Sequence, residues 1–192
     1  MMLAGIGGQG IQLAARTLAV AAVSDGLQAM MMGEYGGMMR GGNSDATVVL
    51  GTGRLLSPPT VSRAWGAVAL HHEYWSGVAP RVVSDGIVIV DRGVFQGDIG
   101  RDDVTIVEID ATNTAIDLGS VRGASMVALG ALSAATNIVS VDALVAATAE
   151  VLPPYRSQHA AANAAAVRAG YELVDGVALP AWTDVVASEA GR

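Results

Sequence analysis

The stretch LAGIGGQGIQLAARTLAVAA, Leu3–Ala22, decides the fold. Its opening is a short apolar run that reads as a strand over Met2–Ile6, and its second half is a helix reaching about Ser24. Between them lie Gly5, Gly7 and Gly10 in GxGxxG spacing, the Gly7–Gly8–Gln9–Gly10 turn falling at the strand's end. Glycines there permit a tight turn and close packing of helix on strand. Strand, turn and helix in this order aim the helix's free amides at whatever lies above the turn, which suits a phosphate or another anion. Gly26 stands where a C-terminal glycine belongs.

Moving outward, Leu27–Met32 reads as a second strand and Ala46–Leu50 as a third. The segment between them is glycine-rich and carries Glu34, Tyr35 and Arg40. Arg40–Gly41–Gly42 sets a guanidinium beside exposed amides, either as an anion clamp or as an interface loop that pins a partner's carboxylate. Met30, Met31, Met32, Met38 and Met39 flank this region, and such adaptable side chains suit a packed subunit contact. Glu34 also lies near the offset at which a dinucleotide site places its ribose-binding acid. A self-contained Rossmann-like dinucleotide-binding protein is therefore a second reading, although this loop is longer and richer in glycine than such sites use.

Farther along, Trp65–Leu70, Gly86–Val90 and Val104–Ile109 read as strands. Helices follow from Val121 to about Thr136, Val141 to Leu152 and Ser157 to Gly170, with Asn137 and Pro153–Pro154 as stops. The uninterrupted apolar run at Gly86–Val90 indicates a sheet covered on both faces. The fold class is α/β, a Rossmann-like layered domain with a mostly parallel sheet flanked by helices. Residues 1–192 read as one domain with a C-terminal tail from about 175.

Composition narrows the function. The net charge is −7 and no lysine is present, so all 11 formal positive charges are arginines. An acidic chain lacks the basic stripe that nonspecific nucleic-acid binding needs. Without cysteine there are no thiolates for an iron–sulfur cluster, a disulfide or thiol catalysis. A positive mean hydropathy points to surface covered by partner subunits. Gly123–Val141 is uncharged, but its glycine, serines, threonine and Asn137 read as a buried helix rather than a membrane span. No basic segment precedes the first apolar run, so the expectation is a cytoplasmic protein without a signal peptide.

Other chemical groups carry weaker patterns. His71 and His72 follow the Trp65–Leu70 strand in a short irregular or helical region; adjacent residues in an extended segment face opposite sides, so a metal ion shared between them is not expected. No GxSxG elbow is present, and Ser44–Asp45 reads as a loop-to-strand turn. Asp91 and Asp110 stand at strand ends, where α/β proteins place functional groups, yet solvated turn carboxylates are the commoner outcome.

GIGGQGIQLAARTLA, EYGGMMRGG, LLSPP, GIVIVD and SMVALGAL together resemble the gamma subunit of 2-oxoacid:ferredoxin oxidoreductases, over about Leu3 to Tyr171. The module is that of pyruvate, 2-oxoglutarate and indolepyruvate oxidoreductases. Ser125 departs from the family, which often has Asn there. The resemblance implies a subunit inactive by itself, with no catalytic or metal-binding residues of its own. The complex would oxidatively decarboxylate a 2-oxoacid to acyl-CoA and pass electrons to ferredoxin or NAD. Thiamine diphosphate and Mg2+ would belong to alpha and beta subunits, and the iron–sulfur clusters to a ferredoxin-like subunit. Gly7, Gly8, Gln9, Gly10, Arg40, Gly41 and Gly42 are then candidates for docking and for holding coenzyme A phosphates.

Overall fold

The computed structural model describes residues 1–35, 41–56, 58–120 and 122–182. Its 6-stranded sheet contains β1 (Met2–Ile6), β2 (Gln28–Tyr35), β3 (Asn43–Gly51), β4 (Ala64–Ala69), β5 (Val82–Asp91) and β6 (Thr105–Ile109). The spatial order is β2-β3-β1-β4-β5-β6. From β1 to β6 every neighbouring pair is parallel, whereas β3 runs antiparallel to both β1 and β2. The sheet is thus mixed, with parallel strands dominant. β2 and β3 are longer than expected, so Glu34 and Tyr35 belong to β2 and Ser44–Asp45 to β3, not to a turn.

Helices α1 (Ile11–Ser24), α2 (Ala111–Asp117), α3 (Ala124–Thr136), α4 (Val141–Glu150) and α5 (Ala160–Glu172) all pack on one face. There Leu3, Val48, Ile87 and Ile89 meet Leu18, Met126, Leu129 and Leu144. On the opposite face Met2, Ala4, Val88 and Val90 are covered by the 3-10 turns Trp75–Gly77 and Ala79–Arg81 and by Phe95 and Ile99. β5 feeds both cores by alternation, Ile87 and Ile89 to one and Val88 and Val90 to the other, which accounts for its unbroken apolar sequence.

All residues of α3 are buried, because α1, α2, α4 and α5 surround it. α3 ends as its sequence suggests, with Asn137 in the left-handed region at φ 51°. Its last carbonyls are then satisfied by the tail. Ala178 and Leu179 donate to Ala135 O, Ala181 donates to Thr136 O, and Trp182 Nε1 donates to Ile138 O. Several boundaries differ from expectation: α3 begins at Ala124 rather than Val121, and α4 ends at Glu150 rather than Leu152. α5 begins after a 3-10 turn at Pro154–His159, and Gly170 lies inside it rather than ending it. The short α2, capped by Asp110, carries too few residues to show a helical period. Among the described residues no helix is long and apolar enough to cross a membrane.

Candidate functional site

β1 and β4 are parallel neighbours whose chains leave in opposite directions, β1 through α1 toward β2 and β4 toward β5. In open α/β sheets the crevice beyond such a pair of strand ends is where ligands bind. The Gly7–Gly10 turn forms one side of it, and the residues after Leu70 form the other. Gly8 and Gly10 adopt φ of 107° and 81°, a region that side-chain-bearing residues rarely enter. Gly10 caps α1, and among the described residues the amides of Gly8, Gly10 and Ile11 meet no acceptor.

The predicted site residues separate by role. Gly7 meets the glycine-rich loop directly, because its amide donates to Gly42 O at 2.8 Å and a Cβ on it would come within 3.3 Å of Gly41 N. Arg40 lies outside the described residues. Gln9 is committed to the scaffold, since its Oε1 accepts from Ile6 N and its Nε2 donates to Leu70 O, each at 2.9 Å. The carboxamide therefore ties the end of β1 to the end of β4 across the crevice floor. Gly5 makes room for it, as a Cβ there would stand 2.5 Å from Gln9 Oε1.

The two histidines follow the strand, where the sequence places them, but they lie side by side rather than on opposite faces. β4 ends at Ala69, Leu70 N donates to Ala4 O, and the chain turns, so His71 and His72 are not on an extended strand. Their rings stack with centroids 4.5 Å apart. His71 Nδ1 accepts from Glu73 N at 3.2 Å and His72 Nδ1 from Gln96 N at 3.4 Å. Burial pushes the His71 pKa down, and the neighbouring His72 adds to the shift. Among the described residues no group of three or more acidic or histidine side chains is arranged to hold a metal ion.

The carboxylates also depart from expectation. Asp91 is wholly buried and accepts from Gly93 N, Thr112 N and Thr112 Oγ1, so it ties β5 to α2 instead of facing solvent. Asp110 is an N-cap accepting from Asn113 N. Glu34 pairs across strands with Asp45 on β3. Because β3 intervenes between β1 and β2, Glu34 stands two strand spacings, roughly 10 Å, from the glycine turn's own strand. That geometry removes the acid a dinucleotide site would need beside it. A cavity of about 220 Å³ lined by Trp65, Trp182 and Arg63 lies at the other end of the parallel strands, away from this crevice.

The family model for pyruvate ferredoxin/flavodoxin oxidoreductase matches residues 1–173. The chain belongs to this family. Among curated relatives, the 2-oxoglutarate synthase subunit KorC of Methanothermobacter marburgensis is 34% identical, covering 90% of this chain and 94% of its own. Among solved structures, the gamma subunit of a keto/oxoacid ferredoxin oxidoreductase from Geobacter sulfurreducens is 28% identical with a TM-score of 0.72, covering 89% of this chain and 95% of its own. A 2-oxoglutarate:ferredoxin oxidoreductase from Magnetococcus marinus, solved with 2-oxoglutarate, coenzyme A and succinyl-CoA bound, shares the fold at TM-score 0.79 and 23% identity, over 93% of this chain and 32% of that one. The fold therefore occurs both as a separate chain and as part of a longer one.

Two groups beside the glycine turn escaped the sequence reading. Ser125, in the first turn of α3, and the backbone carbonyl of Arg122, just before the α3 cap, come against Gly10. A Cβ on Gly10 would stand 2.8 Å from Ser125 Oγ and 3.9 Å from Arg122 O. Ser125 was visible only as a departure from the family pattern. Arg122, a lone charge preceding a long apolar helix, was the available signal for a helix start near the turn.

Proposed function

We propose that this chain is the gamma-type subunit of a thiamine-dependent 2-oxoacid:acceptor oxidoreductase complex that converts a 2-oxoacid to acyl-CoA. Its role is to dock against the thiamine-binding alpha and beta subunits and to present a phosphate-binding turn toward coenzyme A. The observation that carries this reading is the glycine turn at the β1/β4 crevice, where the amides of Gly8, Gly10 and Ile11 meet no acceptor among the described residues, in a chain whose family match runs over residues 1–173. Thioester chemistry, thiamine diphosphate with Mg2+ and iron–sulfur clusters do not fit this chain's own residues. It has no cysteine to ligate iron, and it lacks the GDG…N pattern for a diphosphate-bound magnesium ion. The electrons go to ferredoxin, a ferredoxin-like subunit or NAD.

The test is to purify the chain alone and together with the subunits that accompany it. Alone it is expected to contain neither thiamine diphosphate nor iron and to turn over neither pyruvate, 2-oxoglutarate nor aryl 2-oxoacids. Turnover by the lone chain overturns the assignment. Tight binding of NAD by the lone chain, with no copurifying subunit, supports the dinucleotide-binding alternative.

A further inference from the structure

β2 ends the sheet, and among the described residues only β3 pairs with it. Which of its residues face outward follows from the ladder. Val48 and Met1 exchange hydrogen bonds on the β1 side of β3, at 2.9 Å and 2.8 Å. Alternation then turns the amides and carbonyls of Thr47 and Val49 toward β2, where Met32 and Met30 oppose them. Those of Ala29, Met31 and Gly33 therefore point away from the sheet, and no described strand meets them. Exposed edges are commonly guarded by lysine, proline or a bulge. Gln28–Gly33 reads QAMMMG and holds an unbroken register with β3, so none of these guards is present. Beside the edge, α1 and β2 leave an open groove of about 320 Å³ lined by Val20, Val23, Ala29 and Met31, with Arg16 and Glu150 at it as well. Val23 is 60% exposed and Met32 40%.

We propose that this edge is the seam between two copies of the chain, β2 pairing antiparallel with β2 of the second copy about a two-fold axis at Met31. In that register the outward groups find partners: Met31 exchanges hydrogen bonds with Met31 of the second copy, and Ala29 does so with Gly33. The charge pattern selects the arrangement. Glu34 is the one charged residue in Gln28–Glu34, and the two-fold sets it opposite Gln28 of the second copy, whose carboxamide donates to the carboxylate. A parallel pairing would gather both Glu34 carboxylates at the same end, where they repel. Directly opposed residues share a face, and for Met31 that face is α1's. Ala29 and Met31 pack on the α1 side, and a Cβ on Gly33 would collide with Gln12 of α1. Met31 of the second copy thus comes to the groove's open side, and the two grooves close over the seam. Arg16 and Glu150 give each groove one charge of either sign, so the copies meet without net repulsion. One self-complementary patch serves both copies, as a closed two-fold dimer requires. Pairing between gamma-type chains is separate from their docking on thiamine-binding subunits and so goes beyond the function proposed above.

The test uses the full chain, which has no cysteine, so one introduced thiol reports one contact. Sedimentation equilibrium from micromolar to submillimolar concentration is expected to show a monomer–dimer equilibrium. Met31→Cys is expected to give a disulfide-linked dimer on mild oxidation, because the opposed Cα atoms of such a pair stand about 5.5 Å apart. Met30→Cys, which opposes Met32 of the second copy, is expected not to. Gln28→Glu, at an exposed position, sets like charges together at two symmetric places and is expected to raise the dimer Kd about tenfold. Adding Glu34→Gln is expected to restore it, and this pair of variants carries the test should Met31→Cys fail to fold. A chain that sediments as a monomer throughout overturns the seam; if that monomer still copurifies with thiamine-binding subunits, the proposed function stands. A dimer that resists crosslinking through Met31→Cys and ignores Gln28→Glu assembles through another surface, which also overturns it. A dimer with the expected responses that copurifies with no other subunit upholds the seam and counts against the proposed function.

Discussion

Asp91 holds three donors inside the protein, and its energetic role follows from that geometry. Each buried donor left without an acceptor costs about 1–3 kcal/mol. Asp91→Ala should therefore lower the unfolding free energy by several kcal/mol in urea titrations, and Asp91→Asn, which keeps one acceptor oxygen, by less. Unchanged unfolding in Asp91→Ala would show that the Gly93 and Thr112 amides find water instead. Asp45 presents the opposite case. Burial raises its pKa above 3.8, the bond from Asn43 opposes that shift, and Glu34 across the strand reinforces it. Below pH 3.8 the carboxyl is protonated folded or unfolded and costs nothing. As pH rises through the raised folded value the unfolded chain releases its proton first, so stability falls and the penalty is complete at neutral pH. Asp45→Asn should melt higher than wild type at pH 7, with the difference shrinking to nothing at the acid end. A pH series of melting temperatures for the two proteins measures it, and a pH-independent difference would remove the charge explanation.

Among the elements, the α3–α5 pair makes the closest approach. A Cβ on Gly130 would overlap the Val167 carbonyl, and one on Gly170 would overlap the Val127 carbonyl. These are backbone atoms, which cannot rotate away. Alanine favours a helix over glycine by up to about 1 kcal/mol, but overpacking of this kind costs about 1–3 kcal/mol. Gly170→Ala should thus destabilise the protein in spite of its helix propensity, whereas Gly77→Ala, with open space around it, should be nearly neutral. Equal thermal shifts for the two would refute the close crossing. Gly170 also explains a limit of sequence reading. A glycine late in an Ala-rich run signals a helix end, and nothing local distinguishes a stop from a contact point with another helix. β1, α1 and Asn137 were legible because strand period, capping and the left-handed stop are encoded within a few residues. α2 was not, being too short for periodicity to show.

For the whole molecule, the parallel half of the sheet was legible, while the position of β3 between β1 and β2 was not. An apolar run gives a strand but does not name its neighbours. That insertion alone changes the reading of Glu34, which is at the right distance in sequence and on the wrong strand in space. The glycine turn was recognisable from spacing, but the meeting of Gly10 with Ser125 joins positions far apart along the chain and depends on how α3 crosses the sheet. The stacking of the two histidines was likewise hidden, because it depends on the turn the chain takes after β4 rather than on where the strand ends.

The enclosed position of α3 also has a consequence for synthesis. A ribosome delivers residues 124–136 before α4, α5 and the docking tail that finish its cover. Until residues 141–182 have emerged, the nascent chain presents a helix buried around its whole circumference in the finished protein, with only the earlier strands, α1 and the short α2 to shelter it. This interval is when aggregation competes with folding. Chaperone capture of ribosome-stalled chains should accordingly peak for truncations ending shortly after Asn137 and decline once the Trp182 segment clears the exit tunnel.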